Sequence, residues 1–278
     1  MQPVNLRVAI LDLNAGAPNQ GMRSLRNILS RYAKVNDLHF QIEEFEVRNR
    51  QEMPDDSFQV YFSTGGPGSP LESQGSSWEK RYFSLVSRLE TINSSADNDK
   101  KFMFFICHSF QLLCRHYALG SVCKRKSPSF GVLPVHQCPE AGKDPVFAGL
   151  PDPFFAVDSR EWQVIGPDFS RFEVIGARLL AIEKERPLVP LERALMAIRF
   201  SPWFFGTQFH PEADPEGMTH YLETTNKKEQ VIEQFGMEKY LSMISQLQDP
   251  DKIMLTRELV IPSFLDQAIP VRQSSLPG

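Results

Sequence analysis

Strand and helix signals alternate through the first 120 residues, and that alternation constrains the fold more than any other feature of the chain. Leu6 to Leu13, Phe40 to Val47, Phe58 to Phe62 and Phe102 to Cys107 are short apolar or half-apolar runs rich in β-formers. Between them, Met22, Leu25, Ile28 and Leu29 recur at helical spacing, and Trp78 to Leu89 reads as a second helix. After Cys107, Phe110, Leu113, Cys114, Tyr117 and Ala118 share one helical face, and Gly120 is the expected C-cap. Strands separated by helices pair in parallel, with the crossover helices on both sheet faces. The region beyond Gly120 reads differently. Ser121 to Val135, Phe154 to Val164, Leu179 to Glu183, Ala194 to Ser201 and Trp203 to Phe209 follow as strands joined by turns, with no helix expected among them. The expectation is an α/β fold whose mainly parallel sheet continues into an antiparallel extension.

Asp214-Pro215-Glu216 then starts a helix, with a capping residue, proline at the first position and an acid in the first turn. Apolar residues at 237, 240, 241, 244 and 247 predict one amphipathic helix over 231–247. Its row of Met237, Leu241, Ile244 and Leu247 must dock, either on this domain or on a second copy of the chain. The organisation expected is one domain over 1–225 and a helical C-terminal extension over 226–278. The polar end Gln273-Ser274-Ser275 is expected to be loose.

Charge narrows the partners. The net charge is −4, with 30 basic against 34 acidic residues, which leaves no electrostatic footprint for nucleic acid. No apolar run approaches the length of a membrane helix. The N-terminal residues carry no basic segment or cleavage site, so a cytoplasmic protein is expected. The four cysteines, Cys107, Cys114, Cys123 and Cys138, form no C-x-x-C pair and are expected to be free thiols.

Three segments carry chemistry. Cys107 stands between a buried strand and an amphipathic helix, and such an elbow lifts a nucleophile to the carboxyl edge of the sheet. The helix N-terminus stabilises negative charge there. His210 and Glu212, in Gln208-Phe209-His210-Pro211-Glu212, are two apart, so in extended chain they point the same way. A carboxylate beside an imidazole fixes its tautomer and supports its protonated form. A metal site built from His210, Glu212 and His108 lacks recognisable ligand spacing. Gly65-Gly66-Pro67-Gly68-Ser69-Pro70 follows the third strand, and its glycines let backbone N–H groups face a cavity.

Read together, Gly-Gly-Pro-Gly-Ser-Pro, Ile-Cys-x-x-x-Gln and Gln-Phe-His-Pro-Glu resemble the class I glutamine amidotransferase family over residues 5 to 225. The resemblance implies a flavodoxin-like sheet and a Cys-His-Glu triad: Cys107 as nucleophile, His210 as base, Glu212 as orienting acid. It also implies oxyanion donors at the backbone of Gly66 and His108, and Gln111 lining the substrate pocket. In Ser159-Arg160-Glu161-Trp162-Gln163-Val164, a degraded family segment, Trp162 and Gln163 are expected to face that pocket. No metal or organic cofactor is implied.

The activity implied is hydrolysis of the γ-glutamyl amide of glutamine or a related small molecule. The ammonia would pass to a separate synthase subunit, or the enzyme would cleave γ-glutamyl peptides. A non-enzymatic alternative is an amidotransferase fold kept as a binding or regulatory module. One departure bears on this choice. Phe105 and Ser109 stand where the family's elbow usually keeps glycine, and their bulk predicts weak hydrolysis of free glutamine.

Overall fold

The computed structural model describes residues 4–269 apart from 18, 97, 98, 187, 189, 250 and 251, with only the backbone of 225–227; the polar end at 273–275 lies outside them. Its strands are β1 (Val4–Asp12), β2 (Leu38–Glu46), β3 (Val60–Ser63), β4 (Phe102–Ile106), β5 (Ser121–Gln137), β6 (Phe154–Ile165), β7 (Arg178–Glu183), β8 (Leu195–Arg199) and β9 (Phe204–Thr207). They form one sheet in the order β2-β1-β3-β4-β9-β8-β7-β5-β6. Pairing is parallel from β2 to β9 and antiparallel from β9 to β6. This is the α/β sheet with antiparallel extension that the alternating signals predict.

Helices cover both faces. On one lie α1 (Gln20–Val35) and α8 (Ile253–Ala268), which bury Leu25, Ile28, Leu29, Val260, Ile261 and Phe264 against Val8, Ile10, Phe62 and Phe104. On the other lie α2 (Ser77–Ser94) and α3 (His108–His116), whose Tyr82, Leu85, Phe110 and Leu113 meet Ala9, Leu11, Tyr61 and Phe105. Strand residues therefore alternate between two apolar layers, as the period of two requires.

Four local expectations are corrected. The region after Gly120 is not helix-free: α4 (Phe169–Ile175) sits between β6 and β7, and 3-10 turns occupy Pro139–Lys143 and Pro145–Phe147. The first is closed by Asp168, whose side chain accepts from the N–H groups of Ser170 and Arg171, and by left-handed Gly176. Gly120 is not the C-cap of α3. The helix is capped at Tyr117, and Ala118 takes the left-handed turn at φ 56°. Glycine is needed at 120 for a different reason: a Cβ there would stand 2.8 Å from the Ile165 carbonyl oxygen. The single helix over 231–247 is two, α6 (Thr225–Phe235) and α7 (Met237–Leu247), broken at Gly236 with φ 85°. The docked face is also rotated. Val231, Tyr240, Met243 and Leu247 are buried against Phe130, Val132, Val157 and Leu222, whereas Met237 and Leu241 are exposed.

The last helix is part of the main core. Phe264 is fully buried and its ring lies 5.1–6.4 Å from those of Phe62, Phe102, Phe104 and Phe205, on β3, β4 and β9. Phe264→Ala is expected to cost about 3–5 kcal/mol, because an aromatic cavity in a close-packed layer collapses poorly. A urea titration checks this: the midpoint should fall with the slope unchanged. Among the described residues, no helix is long and apolar enough to cross a membrane.

Candidate active site

The sheet itself brings the separated motifs together. β4 and β9 pair in parallel with Ile106 opposite Thr207, and the Cys107 N–H donates to the Thr207 carbonyl at 2.7 Å. The chain beyond β9 therefore leaves the sheet beside the end of β4. His210 is pinned there by a bridge to Val157 of β6, its N–H donating to the Val157 carbonyl at 2.9 Å.

Cys107 adopts φ 51°, ψ −98°, a backbone region that non-glycine residues seldom occupy. Such strain costs of order 1–3 kcal/mol and persists where the surroundings enforce it. Here the enforcement is visible. The strand fixes the residue before the turn, and α3 begins at the residue after it, with the Gln111 N–H donating to the Cys107 carbonyl. The Cys107 side chain lies at the mouth of α3, where the first N–H groups have no partner within the helix. Its thiol donates towards the Ser159 carbonyl at 3.8 Å and accepts from Gln208 Nε2 at 3.6 Å.

His210 and Glu212 are joined at 2.8 Å between Nδ1 and Oε1. Burial works against the imidazolium, but the Glu212 carboxylate and the Cys107 sulfur outweigh it and hold the His210 pKa well above its ordinary value. The Glu212 carboxylate is itself buried, and Gly21 on α1 leaves room for it: a Cβ there would stand 3.1 Å from Oε1.

The glycine loop after β3 closes the site from the other side. Thr64 ties it down, its N–H donating to the Leu11 carbonyl and its hydroxyl accepting from the Leu13 N–H at 3.0 Å. A Cβ at Gly65 would lie 3.1 Å from His210 Cε1 and 3.5 Å from Cys107 Cβ. At Gly66 a Cβ would come within 2.3 Å of the Leu13 carbonyl oxygen, which no side chain survives. Both glycines thus allow the close approach that presents this backbone to the cysteine.

His108 is buried, and burial, together with Arg48 and Arg115, lowers its pKa to about 3, so its ring is neutral. Gln111 is held by two donations from Nε2 at 3.0 Å, to the Trp162 carbonyl and to Gln208 Oε1. Cys107, His108, Gln111, Gly66, His210, Glu212 and Trp162 all line one cavity of about 690 Å³. Gln163 does not join them as expected. Its side chain is held on β5 instead, accepting from Arg125 at 2.6 Å and donating to the Cys123 sulfur at 3.7 Å. Among the described residues, no three His, Cys, Asp or Glu side chains converge to hold a metal ion.

The two elbow departures are absorbed. Phe105 points away from the cavity into the α2–α3 layer, edge-on to Phe200 and Phe204. The Ser109 hydroxyl donates to the Ser63 carbonyl at 2.7 Å and accepts from the Ile106 N–H at 2.8 Å, tying α3 to β3 and β4. Their bulk therefore does not press on Cys107. Sequence reasoning gave no role to Gln208 or Ser159, which touch the thiol; both lay inside quoted segments. It also gave none to Met218, Tyr221, Val231 and Phe235, which wall the cavity from the C-terminal side.

No curated protein matches the chain in sequence. The fold is similar to that of a glutamine amidotransferase from Thermotoga maritima: TM-score 0.66, 13% identity, covering 95% of this chain and 97% of that one. It is similar also to a glutamine amido transferase from Methylobacillus flagellatus: TM-score 0.65, 14% identity, covering 100% and 99%. The Trypanosoma brucei CTPS glutaminase domain with bound acivicin gives TM-score 0.57 at 12% identity, covering 95% and 93%. At these identities the likeness shows the fold, flavodoxin-like with a helical C-terminal segment. The family model of class-I glutamine amidotransferases matches residues 21–228, about three quarters of the sequence, and this chain belongs to that family.

Proposed function

We propose that the protein is a cysteine hydrolase of γ-glutamyl amides, with Cys107 as nucleophile, His210 as acid and base, and Glu212 as the residue that orients His210. Cys107 passes its thiol proton to His210 and its sulfur attacks the γ-amide carbon, and backbone N–H groups of Gly66 and His108 receive the oxyanion. As the carbon–nitrogen bond breaks, His210 gives its proton to the departing amine and a thioester remains. Water then attacks the thioester carbon, His210 takes its proton and returns it to the departing sulfur, and glutamate is released. Each step uses groups of the chain and water. Gln111 and the Trp162 carbonyl, already bonded to each other, frame the glutamyl side of the pocket.

The observation that carries this reading is the strained elbow at Cys107 facing an imidazole whose other edge holds a buried carboxylate at 2.8 Å. Packing alone does not require that combination at one cavity. Ammonia delivery to a separate synthase subunit is the second reading, favoured by the likeness to the glutaminase domain of CTPS. The test is amine release from glutamine and from a panel of γ-glutamyl compounds by the isolated chain. Turnover of one class without a partner supports the hydrolase. Dormancy with every compound, combined with a Cys107 no more reactive than the other thiols, points instead to a binding or regulatory module.

A further inference from the structure

The cavity is larger than the reaction needs. At about 690 Å³ it is the size of a pocket for a drug-sized ligand, roughly 300–1,000 Å³, whereas glutamine is a small amino acid. It has two ends. At one, Cys107, Gly65, Gln111, Ser159 and Trp162 surround the nucleophile. At the other, Met218 and Tyr221 of α5 (Pro215–Glu223) and Gln230, Val231, Gln234 and Phe235 of α6 face the N-terminus of α1. Glu212 abuts Gly21 of α1 and α5 begins three residues later, so the His210–Glu212 segment leads directly into the second part.

This second chamber is built by the chain itself. Asp214 caps α5 through the Gly217 N–H at 2.6 Å and accepts from Arg23 and from Ser24, both on α1, at 2.7 Å. That node fixes α5 against α1. Val231 is buried among Phe130, Val157 and Leu222, which seats α6 on β5, β6 and α5. The walls are apolar at Met218, Tyr221, Val231 and Phe235, and amide-bearing at Gln230 and Gln234.

Resting on the reading that His210 protonates the departing amine, the geometry points to an amine-side specificity chamber that takes γ-glutamyl amides whose nitrogen carries an apolar or aromatic group. The base of a hydrolase lies on the leaving-group side, so a substituent on the amide nitrogen must extend past His210. What it meets there is the α5–α6 wall. An apolar group buried on that wall gains transfer free energy that ammonia cannot. A carboxylate on the same substituent gains nothing from that apolar wall and gives up hydration to enter it.

Equilibrium binding to Cys107→Ala protein reads the chamber without turnover. γ-Glutamyl benzylamide should bind about tenfold or more tightly than glutamine, the lower end of what a small apolar group contributes in a fitted pocket. γ-Glutamylglycine, with its carboxylate, should gain no such advantage. Gln234 is exposed on the rim, so Gln234→Trp should fold normally and fill the chamber; in the same background it should erase the benzylamide advantage. Equal affinities for benzylamide and glutamine, or an advantage untouched by Gln234→Trp, would overturn the chamber. Tight benzylamide binding that Gln234→Trp abolishes, with no amine release by the unaltered chain, would uphold the chamber and overturn the hydrolase reading.

Discussion

Cys107→Ala is expected to abolish amine release, with a loss on the order of 10⁶-fold, because removing the nucleophile of a catalytic unit costs about as much as removing the whole unit. The same change should abolish labelling by a glutamine-like electrophile. The other thiols give the contrast. Cys114 is fully buried on α3, and burial pushes its thiol well above the ordinary range. Burial also raises the Cys138 thiol, against a smaller opposing effect of Arg193. Cys123 accepts from Gln163 on the side away from the cavity. Only Cys107 combines a helix N-terminus, an imidazole and an opening onto the cavity. Mass spectrometry of labelled, folded protein checks this, and equal labelling of all four cysteines would sink the assignment.

Much of this site was legible in sequence, for a physical reason. Phe102 to Cys107 is too short and too apolar to be anything but a buried strand, so the residue that ends it must sit at the sheet edge. Asp214-Pro215-Glu216 announced a helix start because capping is local chemistry. What escaped was non-local or depended on one dihedral angle. Gly120 looked like a cap because glycine favours positive φ, yet Ala118 took that turn and Gly120 served a close backbone approach. Gly236 broke one expected helix into two, and that break turned Tyr240 and Met243 inward and left Met237 and Leu241 in solvent. Gln163 was expected at the cavity, but its amide is held by Arg125 and Cys123 of β5, a cross-strand pairing that sequence does not show. The elbow departures misled in a different way. Bulk at Phe105 and Ser109 could be read from sequence, but its direction could not. Only the packing shows Phe105 in an aromatic layer and Ser109 replacing empty space with two hydrogen bonds.

That correction removes the structural ground for expecting weak glutamine hydrolysis from a distorted elbow. If the proposed chamber holds, free glutamine is distinguished on the amine side of the cavity, where ammonia leaves the α5–α6 wall unused. A preference among γ-glutamyl amides would follow from how well that wall is filled, with the thioester chemistry common to all of them.

The second large effect concerns His210 and Glu212, which should not be equivalent. His210→Ala removes the group that moves the proton in both halves of the reaction, and a loss of about 10⁶-fold is expected. Glu212→Gln leaves the imidazole in place and removes the carboxylate that orients and supports it, for about 10⁴-fold. The pH profile separates the two roles. Burial depresses the His210 pKa, and Glu212 supplies the first of the upward contributions that overcome it. With His210 as the acid for the departing amine, kcat/KM falls on the alkaline side as the imidazolium is lost. Without the Glu212 charge the imidazolium is less favoured, so the alkaline limb should move to lower pH in Glu212→Gln. A titration of residual activity across pH 6 to 10 measures that limb. An unmoved limb would mean that Glu212 only positions the ring, and equal losses in the two variants would give the carboxylate a direct part in the proton transfer.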